Sequence, residues 1–409
     1  ILDIASKQGE FTIALLKRFG KQVSDKIYSV CTSKLTYEFT RKVYELLSLP
    51  IDHIFDEFTS YDIIKKDENN NFIIPQILLD MNFAAVIGNP PYQIMDGGAG
   101  VSAKPIYNFF VDVAKFVKPM NISMILPAKW YSGGKGLNAF RKSMLNDTRV
   151  SKIIDFVDSR DCFPATDIAG GICYILWDEN YNGKCNFTHI ANGKSVTNLK
   201  VLNNNSTLLR NPLSETIVKK IKAKEEKFFD SLVSSRKPFG LATNVAIAET
   251  GDLLIRHNKG IGYFNRTDVS SGVELIDKWN VIISYLSAEH AGQPDKNGQF
   301  KILSSLSMLE PKTICTETYL VAYSSSYKEE ATNVYKYFKT KFLRYLVSIV
   351  AISQHITKSC FAFVPIQDFT LGSDIDWSES VEEIDAQLYA KYNLSDEEIT
   401  LIESMIKPM

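Results

Sequence analysis

Strand-length apolar runs alternate along the first half of the chain with segments whose apolar residues recur every three to four positions. The runs fall at 2–5, 26–30, 51–58, 83–87, 122–126, 150–156 and 171–177, and helical periodicity occupies 10–19, 34–47, 106–116 and 137–145. This alternation predicts an α/β protein with a Rossmann-like, doubly wound parallel sheet of about seven strands. In such sheets ligands gather at the carboxyl ends of the strands, so the residues that follow each run are the first place to look for chemistry.

The second half reads differently. After Thr188 the chain becomes rich in asparagine (Asn192, Asn198, Asn203, Asn204, Asn205), and 214–228 reads as a charged connecting helix with Lys219, Lys220, Lys222 and Lys224. A boundary near 212 is expected, dividing a domain at 1–212 from one at 213–409. Short strands such as 281–283 and 319–323, with a helix over 328–350, predict a mixed α+β domain. That helix sets Lys336, Lys339, Lys341 and Arg344 among Tyr335, Tyr337, Phe338, Phe342 and Tyr345, which reads either as a phosphate-tracking face or as the solvated side of an amphipathic helix. Polar loops at Arg256-His257-Asn258-Lys259 and Gln354-His355-Ile356-Thr357-Lys358 have side chains suited to base edges. Ser395 and Glu398 form a capping box for a last helix that carries Ile399, Ile402 and Ile406 on one face.

At 409 residues with 45% hydrophobic content, the chain can bury two cores. Lys+Arg 46 against Asp+Glu 47 leaves a net charge of −1, so any contact with nucleic acid must come from local patches. Six cysteines without a Cys-x-x-Cys pair, and five histidines, argue against a zinc site or a disulfide framework and read as reduced thiols of a cytoplasmic protein. No apolar stretch approaches the length of a membrane span. Ile1-Leu2-Asp3-Ile4-Ala5 opens without an initiator Met as a strand already running into a Gly-containing turn, so a longer polypeptide is expected, with its missing part N-terminal.

The run 83–88 ends in Asn89-Pro90-Pro91-Tyr92. Pro-Pro can simply end a strand, but this tetrapeptide also suits methyl transfer to a planar amino nitrogen. The lone pair of an adenine N6 is delocalised into the ring and must be steered toward an electrophile. The Asn89 side-chain oxygen and the Pro90 carbonyl can each accept one amino hydrogen, the prolines stiffen the turn, and Tyr92 can lie against the base. Just beyond, Asp96-Gly97-Gly98-Ala99-Gly100 has few side chains to order it and is expected to close over DNA or cofactor.

Leu2-Asp3-Ile4-Ala5-x-x-x-Gly9-x-Phe11, then Asn89-Pro90-Pro91-Tyr92, then Cys162-Phe163-Pro164 resemble the ordered motifs of the amino-group adenine-N6 DNA methyltransferases. The order is that of the subclass with the cofactor motif first and the target-recognition region last. It is most similar to the methylase and recognition portion of combined type IIG restriction-modification enzymes. Val364-Pro365-Ile366-Gln367-Asp368-Phe369 and Ile375-Asp376-Trp377 extend the likeness into the tail. The resemblance implies S-adenosylmethionine as cofactor, held by Asp3, Ala5, Gly9, Phe11, Glu57 and Phe58, with Asp56 and Asp62 competing for the acidic role. It implies Asn89, Pro90, Pro91 and Tyr92 as catalytic residues, and Tyr92 with Phe163 as a clamp on a flipped adenine. Double-stranded DNA is the implied partner, with Lys339, Lys341, Arg344, His355 and Lys358 as candidate contacts, and a nuclease domain or subunit in the N-terminal part. The pattern is not kept throughout: Ile4 stands for the family's proline, Lys7 for its first glycine, and Ser29-Val30-Cys31-Thr32 offers no acid for the ribose.

Two other readings stand beside a site-specific adenine methyltransferase of a restriction system. One is methylation of protein glutamine or RNA, since the same tetrapeptide orients a side-chain amide. The other is a catalytically weakened module that only recognises DNA for a nuclease or partner, a reading supported by Lys7 and the absent ribose acid.

Overall fold

The computed structural model describes residues 1–409 except 95–102, 135, 192, 290–293, 296 and 352–353; the segment Asp96 to Gly100, expected to close over a ligand, lies outside the described residues. The chain divides into two compact units, Ile1–Leu208 and Leu209–Met409.

The first unit is a Rossmann-like doubly wound α/β sheet. Its strands are β1 (Leu2–Ser6), β2 (Tyr28–Cys31), β3 (Ile54–Phe55), β4 (Ala85–Gly88), β5 (Asn121–Pro127), β6 (Val150–Phe156), β7 (Ile172–Asp178), β8 (Cys185–Ala191) and β9 (Lys194–Lys200). They lie in the order β9-β8-β6-β7-β5-β4-β1-β2-β3. β3 through β5 are parallel neighbours, whereas β7 runs antiparallel between β5 and β6. Every residue of β1 is buried, as a central strand covered on both faces must be. The chain runs outward from β1 through β2 and β3 and returns at β4 on the other side. The switch point therefore lies between β1 and β4, where Leu2 pairs with Val86 and Asp3 with Ile87.

The sheet is wider than the sequence suggests. The asparagine-rich stretch forms β8 and β9, with β8 parallel to β6. Most of β9 is exposed, so alternation with a buried face, the usual mark of a strand, is missing there. The third strand is shorter than expected, because 51–53 forms a 3₁₀ turn ahead of β3.

The helices that frame the site are α1 (Glu10–Phe19), α2 (Lys34–Leu47), α3 (Tyr107–Phe116) and α4 (Asn138–Asn146). α2 opens on a capping box in which the Ser33 side chain accepts from the Thr36 amide and the Thr36 side chain from the Ser33 amide. Gly9 precedes α1 at φ +71°, and a Cβ there would meet Val43 Cγ1 at 3.2 Å, so both backbone and space select glycine.

Among its described residues the second unit holds two three-stranded sheets. One joins β10 (Leu253–His257), β11 (Gly260–Phe264) and Thr313–Cys315, and the other joins Trp279–Ser284, Leu306–Leu309 and Tyr319–Ser325. The connecting helix, α5, spans Pro212–Lys222, capped by the Asn211 side chain. The helix expected over 328–350 is two helices, α6 (Lys328–Lys339) and α7 (Lys341–Ser348). Thr340 breaks them with extended geometry, and its hydroxyl caps α7 at Leu343 N. Among the described residues, no helix is long and apolar enough to cross a membrane.

Candidate active site

Asn89 leaves β4 at its carboxyl end, beside the end of β1 across the switch point. Pro90 is buried, and Asn89, Pro91 and Tyr92 are half-buried, so the turn is set into the fold while its polar residue still reaches solvent. The Tyr92 carbonyl accepts from Ile106 N at 3.2 Å, which ties the turn to the start of α3. The Tyr92 ring stands edge-on to Tyr107, Tyr107 to Phe140, and Phe140 to Trp130. This aromatic buttress was not recognisable in the sequence, although Lys129-Trp130-Tyr131 directly after β5 falls on the same edge of the sheet.

The Phe163 turn approaches from β6. Burial raises the pKa of the Tyr92 hydroxyl well above the ordinary phenol range, and the neighbouring Cys173, Cys162 and Tyr174 push in the same direction. The Tyr92 Oη is buried with no hydrogen-bond partner among the described residues. Cys162 Sγ lies 3.1 Å from Tyr174 Oη, and burial followed by that contact pushes the Tyr174 hydroxyl up to about 12. Ser159 is the pin of this turn: fully buried, it donates to Thr166 O, accepts from Ile168 N, and its carbonyl takes Phe163 N at 2.8 Å. Phe163 is half-buried, and among the described residues its ring stacks on no other aromatic side chain.

Around β1 to β3 the structure sorts the remaining candidates. Asp3 is fully buried: its Oδ1 accepts from Ala5 N at 3.3 Å, and its Oδ2 has no partner within hydrogen-bond distance among the described residues. Burial pushes its carboxyl up to about 7, offset in part by the Ala5 amide and the nearby Ser6 hydroxyl. Ala5 and Gly9 are buried, Phe11 is half-buried in the first turn of α1, and Lys7 is exposed. A cleft of about 240 Å³ opens beyond β2 and β3, lined among others by Cys31, Ser33, Tyr37, Phe55, Asp56 and Phe58. Phe55 and Phe58 stack with centroids 5.3 Å apart and form its aromatic wall. Glu57, the acid expected here, is exposed and outside the lining, which includes its equally exposed neighbour Asp56. Asp62 is turned back on its own loop, accepting from Thr59 N and Oγ1. Ser33 and Tyr37, at the start of α2, were missed.

Residues 17–163 match the family model described as Eco57I restriction-modification methylase. An uncharacterized adenine-specific methylase of Mycoplasma pneumoniae is 31% identical over 206 residues, covering 47% of this chain and 46% of that protein. The chain thus spans about half the length of that relative. Among solved structures, the type IIL restriction-modification enzyme MmeI in complex with DNA is 9% identical, covering 97% of this chain and 64% of that one with a TM-score of 0.47. The type IIG restriction endonuclease BpuSI is 12% identical, covering 99% and 62% with a TM-score of 0.39. The Eco57I-type segment includes β2 through β6, the Asn89 turn and Phe163, whereas Asp3, Gly9 and Phe11 precede it.

In the second unit, Arg344 is not a phosphate contact. It is fully buried, donating to the carbonyls of Lys339, Thr340 and Lys301, because α7 turns that face into the core. Lys341 pairs with Glu403, and Lys336 donates to the carbonyls of Trp377, Ser378 and Glu379. Lys339 lies over the Tyr335 ring at 4.5 Å. The His355 ring packs against Tyr285 at a tilt of 45°, and Lys358 is exposed.

Proposed function

We propose that this protein transfers a methyl group from S-adenosylmethionine to the N6 amino group of an adenine extruded from duplex DNA, at a specific site, as part of a restriction-modification system. The observation that carries the reading is the position of Asn89-Pro90-Pro91-Tyr92 at the switch-side end of β4, inside a segment of the Eco57I methylase family. The adenine-specific methylase that the chain resembles supports the choice of base.

The chain offers a fitting place for the cofactor. Phe55, Phe58 and Tyr37 give the cleft beyond β2 and β3 flat apolar walls for an adenosine, and Asp56 gives it an acceptor for polar edges. Gly9 lets the backbone approach the methionine part, with the buried Asp3 beneath it. Bound there, S-adenosylmethionine supplies an electrophilic methyl group on a sulfonium centre. Asn89 and the Pro90 carbonyl accept the two amino hydrogens of the base and turn the nitrogen lone pair out of conjugation. Tyr92, held by its aromatic buttress, gives the base one stacking face, and Phe163 gives it the other. The amino nitrogen gains positive charge as it is methylated and sheds its proton readily, so the chain needs no dedicated base. The second unit serves as the target-recognition domain, and a nuclease domain or subunit is a proposed partner of the parent protein.

The test is incubation of the full-length parent protein with duplex DNA and labelled S-adenosylmethionine, followed by digestion to nucleosides. N6-methyladenine is the expected product. Lys7, and the absence of an acid in Ser29-Val30-Cys31-Thr32, favour a second reading as a recognition-only module. Absence of both product and calorimetric cofactor binding would select it.

A further inference from the structure

The fold consumes the cations of α6 and α7 in internal contacts, yet another part of the second unit sets exposed and half-buried cations against rings. Arg236, exposed, lies over Tyr285 with its guanidinium carbon 4.7 Å from the ring centroid, and Tyr285 packs against His355 with centroids 4.8 Å apart and planes tilted at 45°. Arg256 lies over Tyr319 at 5.5 Å. Backbone hydrogen bonds join the segments into one surface: Thr316 N donates to Arg256 O, Tyr285 N to Thr318 O, and Ile356 N to Tyr285 O. Exposed Lys259 stands at the turn between β10 and β11 beyond Arg256, exposed Lys358 follows His355, and exposed Lys237 adjoins Arg236. Glu317 lies among these cations but pairs with Arg236 at 3.1 Å and Lys237 at 3.8 Å, so its charge is offset there.

The geometry points to this strip, from Lys259 through Arg256, Tyr319, Tyr285 and Arg236 to Lys358, as the face on which the second unit takes the phosphate backbone of duplex DNA. A guanidinium laid over a ring has its orientation fixed beforehand, and with Arg236 Nε paired to Glu317 and Arg256 Nε donating to Tyr319 Oη at 3.4 Å, their terminal N–H groups remain as donors for phosphate oxygens. In a chain of net charge −1, such clustering of cations is local and matches a polyanion. The inference rests on the DNA-methyltransferase reading and gives its substrate a place on this chain.

The experiment measures binding of the whole chain to a fluorescent 30-base-pair duplex by anisotropy, without cofactor, across a salt series. The variants are Lys259→Glu, Lys358→Glu and Arg236→Ala, with Lys224→Glu as a control of equal charge change at an exposed position away from the strip. Each strip variant is expected to weaken binding by about tenfold and to lower the slope of log K against log salt by about one, whereas Lys224→Glu stays within about twofold of wild type. Strip variants that bind like wild type, a control that weakens binding as much, or no binding to the duplex at all would each overturn the strip. Tighter, strip-dependent binding to single-stranded RNA of the same length would replace DNA by RNA as its partner. Strip-dependent DNA binding by a parent protein that makes no N6-methyladenine would leave the strip standing and remove only the methyltransferase reading.

Discussion

The rings of Tyr92 and Tyr107 meet edge to face, with centroids 6.5 Å apart and planes at 83°. Tyr107 is almost fully buried and in turn meets Phe140 at 86°, so the ring proposed to stack on the substrate base is braced by two more from α3 and α4. Edge-to-face pairs contribute about 0.5–1.5 kcal/mol beyond the area they bury. Tyr107→Phe, which keeps the ring, is therefore expected to methylate within about twofold of wild type, and Tyr107→Leu to lose about tenfold in rate. Single-turnover rates with thermal melts alongside check this; equal rates for the leucine variant would remove the brace from the argument.

Asn89 is half-buried at the end of β4 and has no hydrogen-bond partner among the described residues. Its amide is thus available to a ligand, and its removal costs the fold little. Deleting one preorganised acceptor used as charge develops lowers the rate by roughly 10²–10³. Asn89→Ala is expected to lose methyl transfer by that factor while binding duplex DNA within about twofold of wild type. Full methylation by this variant would sink the catalytic assignment.

Much of the first unit is legible because its strands are short apolar runs spaced by helices with clear periodicity, and the Asn89 turn announces itself by sequence alone. What stays hidden depends on contacts across the sheet. Nothing local marks Ser159 as the pin of the Phe163 turn, and β9 escapes notice because an exposed edge strand has no buried face to imprint alternation. That Asp56 rather than Glu57 lines the cleft follows from the exit of a two-residue strand, too short for alternation to mark it in the sequence. In the second unit, interleaved aromatic and basic residues on α6 and α7 looked like a binding face, but buried Arg344 and tethered Lys336 spend their charge on carbonyls inside the unit.

Asp3 gives the first unit a pH signature. Burial lifts its carboxyl from the ordinary 3.8 to about 7, against the smaller opposing effects of the Ala5 amide and Ser6. The folded state therefore binds this proton more tightly than the unfolded chain does. Its contribution to stability is complete below about pH 4 and is lost as the pH rises through about 7, amounting to a few kcal/mol in order of magnitude. Asp3→Asn keeps the acceptor for Ala5 N without the ionisable group. Urea denaturation at pH 5 and pH 8 is expected to show wild type losing more stability between these values than the variant loses; parallel losses would mean that Asp3 ionises freely in the fold.

Arg344 separates a structural cation from a DNA contact. Burial lowers its guanidinium to about 10, with Asp385 and Glu289 opposing, so it stays charged at neutral pH. It supplies the carbonyls of Lys339, Thr340 and Lys301, and Asp385 beside it accepts from the amides of Lys341 and Phe342 at the start of α7. Removing one partner from a buried charged network costs about 3–5 kcal/mol, because the groups left behind have no water to replace it. Arg344→Leu is expected to lower the urea midpoint accordingly while leaving the salt slope of DNA binding by the folded protein unchanged. A slope reduced by about one with an unaltered midpoint would mean that this guanidinium reaches a phosphate after all.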